Sequence, residues 1–211
     1  MFLLRKKAIL KSNSELSEYV AEIKKEKAMD EAKKVVFGGD SDNGLVLLQK
    51  ILQLPNKILR HHDVEDLSPM VLHDLGHDAH FSLQKAVYLV NNPDFDCLKG
   101  VAGFDHHECE LHKHDVWDEP HCFCHDMKNA DFHNKVKEFS QNKCVGNMCI
   151  DTHNPDDLLE LAEKLGLKNP SFITWGMRHS NQGILLFEDH QPAVARKKEL
   201  LVNAAPLLSL C

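Results

Sequence analysis

The sequence SPMVLHDLGHDAHFSLQKAVYLV, residues 68–90, carries an apolar repeat of helical period. Ser68 is a suitable N-cap, and Pro69 follows at a first-turn position in which proline is tolerated. Apolar side chains then recur at spacings of three and four residues, at Leu72, Leu75, Ala79, Leu83, Ala86 and Val90. This spacing predicts one amphipathic helix that continues to about residue 90 and ends at the sequence NNPD.

The same helix would carry histidines along one edge. At about 100° per residue, His73, His77 and His80 fall within a narrow wedge that flanks the apolar face. Side chains at i and i+4 lie about 5–6 Å apart, so two imidazoles can bind one cation. Gly76 costs about 1 kcal/mol in a helix interior and marks a point where the helix would bend or stop. The alternative interpretation is a solvated, histidine-rich edge without a ligand.

Acidic side chains and histidines concentrate in residues 61–133. This segment holds twelve of the fifteen histidines, and its fifteen Asp and Glu residues outweigh four lysines, which gives a net charge of −11. Carboxylates and imidazoles together are typical ligands of divalent metals. The negative charge disfavours direct binding of nucleic acid. We therefore expect a metal site and a small-molecule substrate, which can be phosphorylated if the ion offsets the repulsion.

A second group of ligand-type side chains lies in FDHHECELHKHD, residues 104–115. If this segment is helical, carboxylates face imidazoles one turn away in the pairs Glu108–His112, Glu110–His114 and His107–Glu110. A helix with such pairs can donate mixed ligands, as in di-iron and zinc sites. A hemerythrin-like or ferritin-like bundle and a purely polar surface segment are the alternatives.

The sequence LHDLGH, residues 72–77, resembles the metal-binding signature of the HD superfamily. Members of that superfamily are helical metal-dependent phosphohydrolases, with a branch of di-iron oxygenases. The resemblance implies that His73 and Asp74 are metal ligands and that His77 is a ligand or an active-site acid. The resemblance also implies an earlier histidine, for which His61 or His62 is the candidate, and a later aspartate, for which Asp131 is the candidate. Further histidine ligands could come from His106 or His107.

The seven cysteines, an odd number, accompany an N-terminus that lacks the pattern of a secretory signal peptide. No apolar run approaches the roughly 18–20 residues that cross a bilayer. These features predict a cytoplasmic protein with free or metal-bound thiols and no membrane partner. If HCFCH, residues 121–125, is a strand, Cys122 and Cys124 share one face. Cys144 and Cys149 would then complete a four-thiolate zinc site, and buried, inert cysteines are the alternative.

The chain, residues 1–211, is predicted to be a single, mainly α domain, which is α+β only in that it includes a small C-terminal hairpin. In the N-terminal part, residues 1–37, a charged helix is expected over residues 14–37. A second helix is expected to begin near Leu45, after a cap within Asp40 to Asn43, and to meet Pro55.

Residues 61–150 form the candidate metal-binding region, and short helices are expected in its irregular, His- and Cys-rich part after residue 90. Residues 151–211 are predicted to be a helix, a hairpin and a helix. The first helix is capped by Asn154 and ended by Gly166, the strands are SFITWGM and GILLF, and Pro192 opens the last helix.

These features favour a metal-dependent enzyme with a mononuclear or dinuclear His/Asp/Glu site. A zinc, iron or manganese ion would activate water for hydrolysis of a phosphate ester or a related small substrate. The alternatives are a di-iron oxygenase, a metal-binding or metal-sensing protein, and a zinc-stapled interaction domain without catalysis. The candidate catalytic residues are His77 and Asp78, and the candidate metal ligands are His73, Asp74, His80, His106, His107, Glu110 and Asp131.

Overall fold

The computed structural model describes residues 40–64, 67–77, 80–109, 116–142, 150–189 and 195–211. The chain divides into two compact units, Met1–Val46 and Leu47–Cys211. The second unit contains a β-sheet and two apolar cores. The predicted helix over residues 14–37 lies outside the described residues.

The sheet is antiparallel, and its described strands are β1 (Leu83–Asn92), β2 (Cys97–Asp105), β3 (Ser140–Asn142), β4 (Ser171–Gly176) and β5 (Gln182–Asp189). Their order in the sheet is β3-β2-β1-β5-β4. Two hairpins, β1–β2 and β4–β5, lie side by side because β1 pairs with β5.

The described part of the chain also contains helices before, between and after the strands. They are α1 (Asp40–Arg60), α2 (Leu67–Gly76), α3 (His106–Cys109), α4 (Pro120–Met127), α5 (Asp131–Glu138), α6 (Pro155–Leu165) and α7 (Ala195–Ala204). Short 3₁₀ turns occupy Pro93–Phe95, Arg178–Ser180 and Ala205–Leu210. In the described ranges, no helix combines the length and the apolar character needed to cross a membrane.

Both faces of the sheet are covered. On one face, Ala86 and Tyr88 of β1 join a core that includes side chains from α1, α2, α4, α7 and the last 3₁₀ turn. On the other face, Val87 and Leu89 join a core with α5 and α6. Successive residues of a strand point to opposite faces, so β1 supplies both cores in alternation. The result is a three-layer arrangement with the sheet in the middle.

The prediction of one helix from residue 69 to about residue 90 is wrong, because the helix ends at Gly76 and Leu83–Asn92 is β1. A strand that is buried on both faces has a nearly continuous run of apolar residues. Such a run also satisfies the helical spacing of three and four, so the spacing alone does not separate the two structures. The mainly α fold class is wrong for the same reason, since a five-stranded sheet forms the centre of an α+β fold.

The C-terminal elements confirm predictions that rest on local signals. Helix α6 begins after Asn154, whose side chain accepts a hydrogen bond from the Asp156 amide, and it ends at Gly166 with a φ of 95°. The β4–β5 hairpin lies where the two apolar runs placed it. The last helix was expected from Pro192, and the described helix is Ala195–Ala204.

Helix α1 differs from its prediction at both ends. It begins at Asp40 rather than near Leu45, and it continues through Pro55 to Arg60. Proline removes one helical hydrogen bond. The buried side chains of Leu54 and Ile58, on either side of Pro55, anchor this part of the helix in the core. After residue 90 the expected short helices are present as α3, α4 and α5, but the strand β2 was not predicted.

We predict that Gly76→Ala destabilises the protein. A Cβ at this position would lie 2.7–2.8 Å from three atoms of the Phe104 ring. Alanine gains about 1 kcal/mol of helix propensity, whereas overpacking costs about 1–3 kcal/mol, so we expect a net loss of up to about 2 kcal/mol. Gly176→Ala is the matched control, because a Cβ there meets nothing within 4 Å. Urea unfolding measures both, and equal effects would contradict the close approach of α2 to β2.

A second prediction concerns Tyr88, whose ring stacks on Trp175 at 5.7 Å. Burial raises the pKa of Tyr88 to about 12, although a hydrogen bond with Ser209 lowers it. The pKa of Tyr88 in the folded protein lies above the unfolded value of about 10. The contribution of the neutral phenol to the free energy of unfolding is therefore fully present below pH 10 and is lost as the pH rises towards 12. Tyr88→Phe should make the free energy of unfolding less dependent on pH in this range. An unchanged pH dependence of the free energy of unfolding in this variant would contradict the burial of the Tyr88 phenol.

Candidate functional site

Asp74 is the centre of a polar cluster at the end of α2. Its side chain is 11% exposed, and its Oδ2 atom accepts hydrogen bonds from Trp117 Nε1 at 2.8 Å and from Lys57 Nζ at 3.3 Å. The Lys57 ammonium also lies 5.4 Å from the centre of the Trp117 ring. These two donors, from α1 and from the segment before α4, fix the orientation of the carboxylate.

His80 faces the other oxygen of the same carboxylate. Its Nδ1 atom lies 3.6 Å from Asp74 Oδ1, and its side chain is 9% exposed. This distance is too long for a hydrogen bond, and Nδ1 is buried without a hydrogen-bond partner among the described residues. Two ligand atoms that each bind one tetrahedral zinc ion at about 2.0–2.2 Å lie about 3.3–3.6 Å from each other. The Asp74–His80 distance is therefore suited to two ligands of one ion.

A turn, and not a helix face, brings His80 to Asp74. After α2 ends, the Phe81 amide donates to the Leu75 carbonyl at 3.3 Å, and the Ser82 amide donates to the His77 carbonyl at 3.2 Å. Ser82 takes a φ of 55°, in the left-handed region. The chain thus folds back over the end of α2 before it enters β1, and it carries His80 with it.

Burial lowers the pKa of His80 below its usual value of 6.5. Asp74 raises this pKa, whereas the positive charges of Lys50, Lys57 and His77 lower it further. The imidazole of His80 is therefore neutral near pH 7, and a neutral imidazole is the form that binds metal ions.

The other two members of the predicted histidine stripe have surroundings different from those of His80. His73 is 2% exposed, and its ring makes edge contacts with Phe104 at 5.0 Å and Phe123 at 4.9 Å. His77 is exposed. His61, at the end of α1, lies beside the cluster, with its ring 5.6 Å from that of Trp117.

The two described acids of the second histidine group, Asp105 and Glu108, have structural contacts. The Asp105 carboxylate pairs with Lys85 at 3.1 Å and accepts the His107 amide at 3.0 Å. Lys85 also lies over the ring of Phe132, which belongs to the core on the α5–α6 face. This carboxylate therefore lies on the opposite face of the sheet from Asp74.

Other candidate residues lie elsewhere in the structure or outside the described residues. Glu108 Oε1 accepts the Phe132 amide at 2.8 Å and caps α5, where Asp131 is exposed. The rings of His106 and His107 are 6.2 Å apart. Four candidates fall outside the described residues: Asp78, Glu110, His112 and His114.

Among the described residues, no group of three or more His, Cys, Asp and Glu side chains is arranged to hold a metal ion. Of the predicted ligands, the structure brings Asp74 and His80 together. HCFCH lies in the helix α4, and not in a strand, with Cys122 exposed and Cys124 half-buried. Cys144 and Cys149 lie outside the described residues, so the four-thiolate site stays a prediction.

Sequence reasoning missed Lys57 and Trp117 as parts of the site. Lys57 lies 17 residues and Trp117 lies 43 residues from Asp74 along the chain. Contacts at this separation leave no periodic signal. A tryptophan within the acidic sequence DVWDEP was the available hint, since a buried indole N–H needs an acceptor.

Comparisons with protein-family profiles, with curated protein sequences and with solved structures gave no match. The resemblance of LHDLGH to the HD-superfamily signature therefore stays a prediction.

The Trp117–Asp74 hydrogen bond yields a third prediction. Hydrogen bonds to charged groups contribute about 1.5–3 kcal/mol, and those between neutral groups about 0.5–1.5 kcal/mol. Trp117→Phe should therefore cost more free energy of unfolding than Trp175→Phe, which removes a hydrogen bond to the neutral Ser209 hydroxyl. Urea unfolding of the two variants tests this, and an equal or smaller loss for Trp117→Phe would contradict it.

Proposed function

We propose that the protein is a metal-dependent hydrolase whose ion is held by Asp74 and His80. The observation that carries the proposal is the approach of Asp74 Oδ1 and His80 Nδ1 to 3.6 Å in an environment that excludes most solvent. A carboxylate oxygen and a neutral imidazole nitrogen are common ligands of zinc, iron and manganese.

The two Asp74 oxygens have different partners, and this supports a bound metal ion rather than a simple ion pair between Asp74 and His80. Oδ2 is engaged by Trp117 and Lys57, and Oδ1 faces His80. A side chain fixed by a partner on one oxygen presents the other in a constant direction, as carboxylate ligands in metal sites require. Trp117 and Lys57 are the positioning residues in this proposal.

A divalent ion in this place would lower the pKa of a bound water towards 7 and so supply hydroxide at neutral pH. Two protein ligands leave coordination positions for that water and for a substrate oxygen. The Lys57 side chain is 32% exposed and adds a positive charge that an anionic group can approach. We therefore propose a small phosphate ester as the substrate class.

The exposed His77 is the candidate acid for the leaving group. It precedes His80 by three residues, and its positive charge is near enough to lower the pKa of His80. Asp78, the other predicted catalytic residue, lies outside the described residues and keeps its role as a prediction. A di-iron oxygenase would need further ligands from residues 104–115, where Asp105 and Glu108 are engaged in structural contacts.

The test measures metal content and hydrolysis on the full chain. Zn²⁺, Mn²⁺ and Fe²⁺ are offered separately to the unchanged chain and to the variants Asp74→Asn and His80→Ala. We expect about one ion per chain in the unchanged protein and at least tenfold weaker binding in both variants, because each loses one of two ligands. His153→Ala is the control, since His153 is exposed and distant in sequence from the cluster.

Hydrolysis of p-nitrophenyl phosphate and of its diester is followed in parallel. Activity that requires the ion and falls in both ligand variants supports the proposal. Metal binding that falls in the variants without any hydrolysis contradicts the enzymatic part and favours a metal-sensing protein. No metal in the unchanged chain, or equal metal in all variants, contradicts the site itself.

A further inference from the structure

A cavity of about 460 Å³ lies at the far end of β1, where the strand meets the β4–β5 turn. Its walls include Asn91 and Pro93 at the end of β1, His153 before α6, and Asn181 and Gln182 after the turn. Its described lining residues include none of Asp74, His80, Lys57 and Trp117, so the cavity is separate from the Asp74 cluster. The volume is within the range of small-molecule sites, about 300–1,000 Å³.

The lining of this cavity is polar but almost uncharged. Three side-chain amides contribute to it, those of Asn91, Asn181 and Gln182. Among the lining residues that the structure describes, there is no Asp, Glu, Lys or Arg, and His153 is the one imidazole. A charged ligand would lose its hydration there without an opposite charge in return. The lining therefore favours an uncharged ligand.

Asn91 is the least exposed of these amides, at 5%. Its Nδ2 atom donates to Thr152 Oγ1 at 3.1 Å and to Gln182 Oε1 at 3.4 Å. In this arrangement the nitrogen end of the Asn91 amide faces these two oxygens, and Oδ1 is directed away from them. Asn91 Oδ1 is buried and has no donor among the described residues.

Asn181 presents a second carbonyl oxygen of the same kind. Its Oδ1 atom is buried without a hydrogen-bond donor in the described part of the chain. Its backbone closes the turn, because the Met177 amide donates to the Asn181 carbonyl at 2.8 Å. Within this turn, His179 and Ser180 both take a φ of 57°, a conformation that non-glycine residues adopt at a cost.

A buried acceptor without a donor is destabilising, so two such oxygens in one cavity wall indicate a donor that the described residues do not supply. We propose that this cavity binds a small, uncharged molecule that carries a primary amide or an aromatic amino group. The N–H donors of that group would reach the carbonyl oxygens of Asn91 and Asn181 after small rotations of the side-chain amides. A ligand without such donors would leave both oxygens unsatisfied, and a polar site of this kind discriminates strongly against it.

Nicotinamide is the probe, because it is an uncharged ring with a primary amide. Its matched control is N,N-dimethylnicotinamide, which keeps the ring and the carbonyl but has no N–H donor. Side-chain amide signals of the full, ¹⁵N-labelled chain are followed by NMR during titration. We expect saturable shifts at Asn91, Asn181 and Gln182 with nicotinamide, and at least tenfold weaker binding of the dimethyl analogue.

A pair of variants provides the second measurement. Asn181→Ala removes one acceptor from the half-buried turn and should weaken nicotinamide binding at least tenfold. Asn203→Ala, on the exposed surface of α7, should leave the affinity unchanged. Absence of shifts at the three amides, or equal binding of the two probes, would overturn the proposal. So would a crystal structure in which buried water satisfies both oxygens and nicotinamide does not displace it.

Discussion

The burial of β1 on both faces is the constraint on which the fold depends. This strand pairs with β2 on one side and β5 on the other, and its side chains supply both cores. An antiparallel sheet often leaves one face to solvent. Here the apolar residues of β1 on both faces require a helical layer on each side. The helices α2 and α5 therefore lie on opposite faces of β2.

The elements that sequence reasoning predicted correctly are those with local signals. An Asn cap and a terminal glycine delimit α6, and two apolar runs around a polar turn define the last hairpin. Strand β1 has no such signal, because side chains buried on both faces can also match a helical repeat. The neighbouring LHDLGH motif was placed on a helix correctly, but the helix was extended too far.

In the candidate site, too, some residues were predicted from the sequence and others were not. Asp74 and His80 were both expected among the metal ligands, with His80 on a histidine edge of a long helix, whereas a turn after α2 brings His80 to Asp74. Lys57 and Trp117 escaped prediction because their contacts with Asp74 depend on tertiary packing. His73 adjoins Asp74 in sequence, yet it packs against two phenyl rings, so adjacency in a motif did not imply a shared environment. One carboxylate thus contacts Lys57 and Trp117 through Oδ2, while its Oδ1 faces His80.

The position of Trp117 has a practical consequence for spectroscopy. The chain has two tryptophans, and they occupy different surroundings: Trp117 beside Lys57, His61 and Asp74, and Trp175 stacked on Tyr88. Indole emission depends on nearby charges, so the fluorescence of Trp117 is an intrinsic optical reporter of the carboxylate it contacts. With Trp175 replaced, a single emitter would report events at that carboxylate in real time, without an attached dye.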